Sequence, residues 1–214
     1  MSKSEIAFNE TGFERQGETN GVMVWFTPKG DGLGLFHYPT PPDIKADLKT
    51  VKTVRAFYKR IARESKLGVI EIDTVVVDGC PAVRTLFKLA QQPKGRTYLA
   101  SLTIPFRDFS YVFKVQCEEL EVTGIRDTVV SMNLMSEGVV GFDAKSGTMT
   151  GWLDDPYDQH ETGPMTRNKS ERREYDSQFP EHPLSRARRV LDLLERTVAI
   201  DESVKKQPAF EFRR

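Results

Sequence analysis

The stretch from Gly68 to Glu119 restricts the possible folds of this chain more than any other. Val69 to Val77 (VIEIDTVVV) is rich in β-branched residues and runs into Asp78-Gly79, the dipeptide that a two-residue hairpin favours. Placing Val77 opposite Cys80 sets Asp73 against Arg84, Thr74 against Val83, Ile72 against Thr85 and Ile70 against Phe87. One face then collects Ile70, Ile72, Val76, Val83, Phe87 and Leu89, and the other collects Glu71, Asp73, Arg84 and Lys88. A one-residue slip would mix the two sets, so the pattern selects this register. The charged set reads as a solvated face on which Asp73 and Arg84 form a cross-strand pair.

A second hairpin repeats the pattern. Gln91-Gln92-Pro93-Lys94-Gly95 is a turn, Arg96 to Ile104 a strand, Pro105 to Asp108 a loop, and Phe109 to Cys117 the return strand. Counting out from the loop pairs Ile104 with Phe109, Leu102 with Tyr111, Ala100 with Phe113 and Tyr98 with Val115. Ser101, Thr103, Ser110, Lys114 and Gln116 lie on the opposite face. Four half-apolar strands predict an antiparallel sheet packed on one side only.

Around this meander, residues 1–20 are polar and read as a flexible N-terminus. Val22 to Thr27 and Leu33 to Tyr38 form a further hairpin in which Trp25, Phe36 and Tyr38 supply large groups to bury. Leu48, Val51, Val54, Tyr58 and Ile61 recur at helical steps within Asp47 to Lys66, with Gly68 as the C′ residue. A second helix opens at Thr123, its N-cap, and Ile125, Val129, Met132 and Met135 form its apolar side. Thr166 to Asp176 reads as a short exposed helix. A long helix runs from Pro183 to Ile200 on Leu184, Ala187, Leu191, Leu194 and Val198, followed by a tail in which Phe210 and Phe212 can dock back. The domain reading is a flexible 1–20, an α+β unit over 21–138, and an extension over 139–214 packed on that unit.

The run VDGCPAVRTLF (Val77 to Phe87), followed by YLASLTI, FSYVFKVQCEE and a helix beginning TGIRDTVV, resembles the DcrB-related proteins of the PsbP-like α/β/α sandwich class. The resemblance covers about Val22 to Glu137. It implies a fold class of α+β, an antiparallel β-meander with helices packed on it, to which this chain adds an α-helical C-terminal extension. It also supports a non-catalytic protein-binding module, since cytosolic members include adaptors that chaperone effectors of type VI secretion by cradling a hydrophobic segment. Many relatives are exported or lipid-anchored, whereas Met1 to Phe8 has no apolar signal core, so a cytoplasmic location is expected. The segment after Gly138 has no counterpart in the resemblance.

Lys plus Arg and Asp plus Glu are both 31, so no net charge draws the chain to nucleic acid or to an anionic membrane. No apolar run is long enough to span a bilayer. Cys80 and Cys117 do not make a disulfide framework. No G-x-S-x-G, Walker A or G-x-G-x-x-G motif is present, which argues against an enzyme without excluding one. The candidate binding residues are Trp152, Asp154, Asp155, Tyr157, Asp158 and His160 in an acidic loop ending at Glu161, with Arg84 and Lys88 on the polar sheet face. The loop lacks EF-hand spacing, so no metal and no cofactor is expected there. The expected partner is another polypeptide, with a homodimer left open. A toxin-neutralising immunity protein, and a small-ligand binder or enzyme using the Trp152–Glu161 loop, are the alternatives.

Overall fold

A computed structural model describes residues 5–19, 21–120 and 122–212. Its centre is a seven-stranded antiparallel sheet built from β2 (Glu14–Thr19), β3 (Val22–Phe26), β4 (Gly32–Tyr38), β5 (Gly68–Val77), β6 (Cys80–Ala90), β7 (Arg96–Pro105) and β8 (Ser110–Glu118). The spatial order is β2-β3-β4-β8-β7-β6-β5. A short β1 (Ile6–Ala7) pairs with β11 (Ala199–Ile200), and a small hairpin of β9 (Gly141–Asp143) and β10 (Thr148–Thr150) stands apart. The helices are α1 (Val51–Glu64), α2 (Ile125–Ser136), α3 (Pro183–Thr197) and α4 (Glu202–Lys205).

The first hairpin closes as its turn chemistry requires. Asp78 and Gly79 both take positive φ, 47° and 83°, and Val77 faces Cys80, with Asp73 facing Arg84. The register holds as far as Ile72 and then breaks. Val69, not Ile70, faces Phe87, because a bulge between Val69 and Glu71 inserts Ile70. Such an insertion turns the residues beyond it to the other face. Ile70 therefore joins the core that Tyr98 and Phe113 share, while Ile72 packs against Val54 and Phe57 of α1. In the second hairpin Ile104 faces Tyr111 and Leu102 faces Phe113, two residues away from the sequence register. An even shift preserves parity, so Tyr98, Ala100, Leu102, Tyr111, Phe113 and Val115 still share one face.

The two hairpins present their apolar sets to opposite sides. Arg84 faces Leu102 across β6 and β7, and Lys88 faces Tyr98. The charged set of β6 thus lies on the face that β7 and β8 make apolar, and this face is the covered one. α3 lies on it against β5, β7 and β8. Residues 5–13 complete the cover, with the Phe8 ring edge-on to Trp25 at 5.1 Å and to Phe113 at 5.6 Å. Arg84 and Lys88 are consequently buried, not solvated. The sheet is packed on two sides, since α1 covers the β5–β6 part of the other face.

The described part of residues 1–20 is ordered into β1 and the edge strand β2 because its apolar side chains are needed to close this core. Residues 1–4 and 20 lie outside the described residues. Trp25 is buried on the closed side, but strand alternation sends Phe36 and Tyr38 to the other side, where they stack 5.9 Å apart and stay partly exposed.

α1 ends in a Schellman turn. Leu67 N–H donates to the Ala62 carbonyl and Lys66 N–H to that of Arg63, with Lys66 at φ 56°. The C′ residue is Lys66, and Gly68 serves another purpose. A Cβ on Gly68 would lie 2.0 Å from the Met165 carbonyl oxygen, so only glycine lets the extension cross there. The N-cap of α2 is Gly124, not Thr123. Phe210 packs against the α1 core while Phe212 stays exposed.

Phe113→Ala should cost about 3–5 kcal/mol through lost burial and the cavity left behind. Asp73, which is exposed, pairs with Arg55 at 3.3 Å and accepts the Thr74 N–H at 3.1 Å, and should cost under about 1 kcal/mol when changed to Ala. Urea melts of both variants check the assignment, and equal losses would reverse it.

Candidate functional site

The acidic loop does not converge on a point. Asp154 receives Arg167 at 2.6 Å and Arg172 at 2.9 Å. Burial opposes its ionisation, but these guanidiniums outweigh burial and hold its carboxyl below the usual range. Asp155 takes Lys59 at 3.2 Å and Glu161 takes Arg63 at 3.0 Å. Asp158 lies 3.9 Å from Lys59 and accepts the His160 N–H at 3.1 Å, while the His160 ring is exposed. Trp152 packs on the small core of Val130, Leu134 and Val140. The Tyr157 hydroxyl accepts the Ile72 N–H at 2.7 Å and donates to the Ile72 carbonyl at 2.8 Å, with Arg55 stacked 4.5 Å over its ring. The loop is a strap that satisfies the bulged edge of β5. Among the described residues no group of three or more His, Cys, Asp or Glu could hold a metal ion.

Arg84 and Lys88 belong to an ionic layer between the sheet and the extension. Lys88 Nζ lies 2.5 Å from Glu171 and 3.0 Å from the Thr166 carbonyl, and the Tyr98 hydroxyl donates to Glu171 at 3.1 Å. Burial pulls the Lys88 ammonium pKa down, against the opposing pull of Glu171, and pushes that of the Tyr98 phenol up. Arg84 reaches Asp192 at 2.8 Å and Glu195 at 3.0 Å. Arg188 bridges Glu71 and Asp176, and Arg126 holds Asp176, Ser185 and two backbone carbonyls. Glu171 is positioned by a capping box in which Asn168 Oδ1 accepts the Ser170 N–H while Glu171 accepts the Asn168 N–H. Every charge in this layer has a protein partner, which suits a structural role.

The remaining sheet face is open over β3, β4, β8 and β7. Across it the register lines up Val24, Gly34, Lys114, Ser101 and Thr85 in one row. The neighbouring row runs Phe26, Gly32, Gln116, Leu99 and Phe87. Small residues in the first row and aromatic groups beside it leave a trough of about 680 Å³. A Cβ on Gly34 would lie 2.8 Å from the Phe36 ring and force that ring to shift. The Thr85 and Ser101 hydroxyls satisfy each other at 2.8 Å. Lys114 Nζ donates to the Tyr38 hydroxyl at 3.0 Å and sits 4.5 Å from the Phe36 ring centre.

Leu120 lines this trough and also a second concavity of about 470 Å³, whose wall includes Val122 and Ile125. From there an apolar surface continues along α2. Its predicted core side faces solvent: Ile125, Val129, Met132 and Met135 are exposed, as are Leu120, Val122, Val139 and Phe142, with Val122 at 69% and Met132 at 64%. The helix is anchored instead by Arg126, Val130 and Leu134, because the ionic layer claims the side carrying Arg126. Sequence reasoning missed this surface. The G-L-G-L-F alternation at Gly32–Phe36 is the signal that could have revealed the trough, since it leaves one strand face bare.

No protein-family model matches the chain, and no curated protein matches it. Among solved structures it is similar to the solution structure of cyanobacterial PsbP (CyanoP) from Synechocystis. That protein is 18% identical over 64% of this chain and 86% of its own, with a TM-score of 0.37.

Lys88→Met should cost about 3–5 kcal/mol, because it leaves the Glu171 carboxylate buried without its cation. A loss under about 1 kcal/mol in urea melts would show that the pair does not support the fold. A pH effect follows at Asp127. Burial opposes its charge, but Arg96 at 2.6 Å and the Ser170 hydroxyl at 2.5 Å outweigh burial and lower its carboxyl pKa. Its unfolded value is about 3.9, so its contribution is complete above that pH and disappears as pH falls through the folded value. Acid unfolding of Asp127→Asn should lose that part of the slope below about pH 4, as followed by circular dichroism.

Proposed function

We propose that the protein is a non-catalytic module that binds another polypeptide over the open sheet face and the α2 surface. The observation that carries this reading is the set of eight exposed large apolar side chains between Leu120 and Phe142, of which Leu120 also lines the trough and Leu120, Val122 and Ile125 line the neighbouring concavity. Soluble surfaces rarely expose contiguous apolar patches of this kind without a partner. A small ligand could fill the trough, whose volume is within the usual range for such sites, but it would leave Val129, Met132 and Val139 uncovered.

The sheet edges disfavour strand addition. β2 carries a bulge near Arg15 and Gly17 and is charged, and the outer edge of β5 is occupied at Ile72 by Tyr157 and Arg55. Contact through a face therefore fits this chain better than β-augmentation. A cytoplasmic adaptor that shields an apolar segment of an effector is the form of binding that the DcrB-like resemblance suggests. A toxin-neutralising protein would use the same surface.

Val24→Glu puts a carboxylate in the trough and Met132→Glu puts one on α2, both at sites not fully buried. Each variant should keep the wild-type melting temperature and lose a polypeptide that co-purifies stoichiometrically with the full chain. Retention of that polypeptide by both variants would overturn the proposal. A small molecule found by native mass spectrometry and displaced by Val24→Glu alone would transfer the function to ligand binding.

A further inference from the structure

Among the described residues Lys114 lines the trough with no carboxylate partner, whereas Lys29 at its rim pairs with Glu181 at 3.1 Å. Arg84, Lys88 and Arg96 on the same sheet each meet a carboxylate. Among the described residues none pairs with Lys114, whose polar contact is the Tyr38 hydroxyl. That hydrogen bond uses one of the three ammonium donors. Lys114 also stands mid-sheet, because β8 is the fourth of the seven strands. Its cross-strand neighbours, Gly34 and Ser101, are too short to screen it from anything laid in the trough.

An apolar partner that covers this row removes water from Lys114. An ammonium desolvated without an acceptor is strongly penalised, whereas a carboxylate placed against it forms a charge-assisted hydrogen bond. The Phe36 and Tyr38 rings hold the ammonium by their faces, so the side chain need not reorganise to meet an acceptor. Resting on the docking surface proposed above, we infer that the bound segment is an apolar polypeptide stretch carrying one acidic side chain, and that this carboxylate seats on Lys114. The same chemistry exists in a free fatty acid. The exposed run along α2, which an acyl chain in the trough would not cover, favours the polypeptide.

The test is selection of short random displayed peptides on the full chain and on its Lys114→Gln, Lys114→Glu and Val24→Glu variants. The wild type should enrich an apolar frame with Asp or Glu at one fixed position. Lys114→Glu should enrich the same frame with Lys or Arg there. A synthetic representative should bind Lys114→Gln about tenfold more weakly, the loss expected for a hydrogen bond to a charged group. The same frame with no acidic position, or with one indifferent to Lys114, overturns this inference and leaves the docking surface standing. Peptides that bind Val24→Glu as well as wild type, or no enriched frame at all, overturn the docking surface and the inference with it. Binding of dodecanoate that Lys114→Gln abolishes, without peptide enrichment, overturns the polypeptide in favour of a free acid.

Discussion

The Lys88 ammonium and the Glu171 carboxylate meet at 2.5 Å with side chains 2% and 0% exposed, and much of the molecule is arranged around making that pair tolerable. A buried ion pair repays its desolvation only when the remaining donors and lone pairs are also satisfied. Here the Thr166 carbonyl, the Tyr98 hydroxyl and the Asn168 N–H do so. The pair exists because β6 and β7 disagree about which face is apolar. Their register places Lys88 beside Tyr98 and Arg84 beside Leu102, so any cover for Tyr98 and Leu102 must also bring carboxylates. The segment from Thr166 to Glu195 supplies them through Glu171, Asp192 and Glu195, and its Asp176 pairs with Arg188 and with Arg126 of α2.

Closing one face in this way determines what the other can do. α3 and the N-terminal arm cover the side rich in aromatic and aliphatic side chains, and α1 is long enough to shield only the β5–β6 end of the opposite side. The rest of that face is formed by β3, β4, β8 and β7, and among the described residues no helix lies over it. α2 is anchored through Arg126 to Ser170 and Asp176, which turns Ile125, Val129 and Met132 outward. The exposed apolar surface is thus a consequence of where the buried charges had to go. The trough and the helix stripe have a common origin in that arrangement.

Parts of this were legible in the residues. Asp78-Gly79 dictated the tight turn, and the strand alternation gave the correct parity even where the β7–β8 register was two residues off. Other features carry a signal in the residues themselves. Asn168-Lys-Ser-Glu171 is a capping box, and it marks a turn with a buried carboxylate where charge density suggested an exposed helix. Gly32 and Gly34, two residues apart in a strand, leave one of its faces bare. The bulge at Ile70 had no local signature, because VIEIDTVVV alternates as well with it as without it.

The sequence alone determined the antiparallel meander, the helical periods of α1 and α3, and the sorting of β6, β7 and β8 each into two sides, while in β5 the bulge at Ile70 broke that sorting. These depend on neighbours within a hairpin or a helical turn, and local sterics and period decide them. Only the tertiary structure decided which side of each strand met solvent. That choice depends on how one hairpin registers on the next and on counter-charges more than seventy residues away in sequence, as between Lys88 and Glu171. A pattern of charges reads the same whether water or a distant carboxylate satisfies it, so Arg84 and Lys88 looked solvated and Met132 looked buried until the long-range partners were in place.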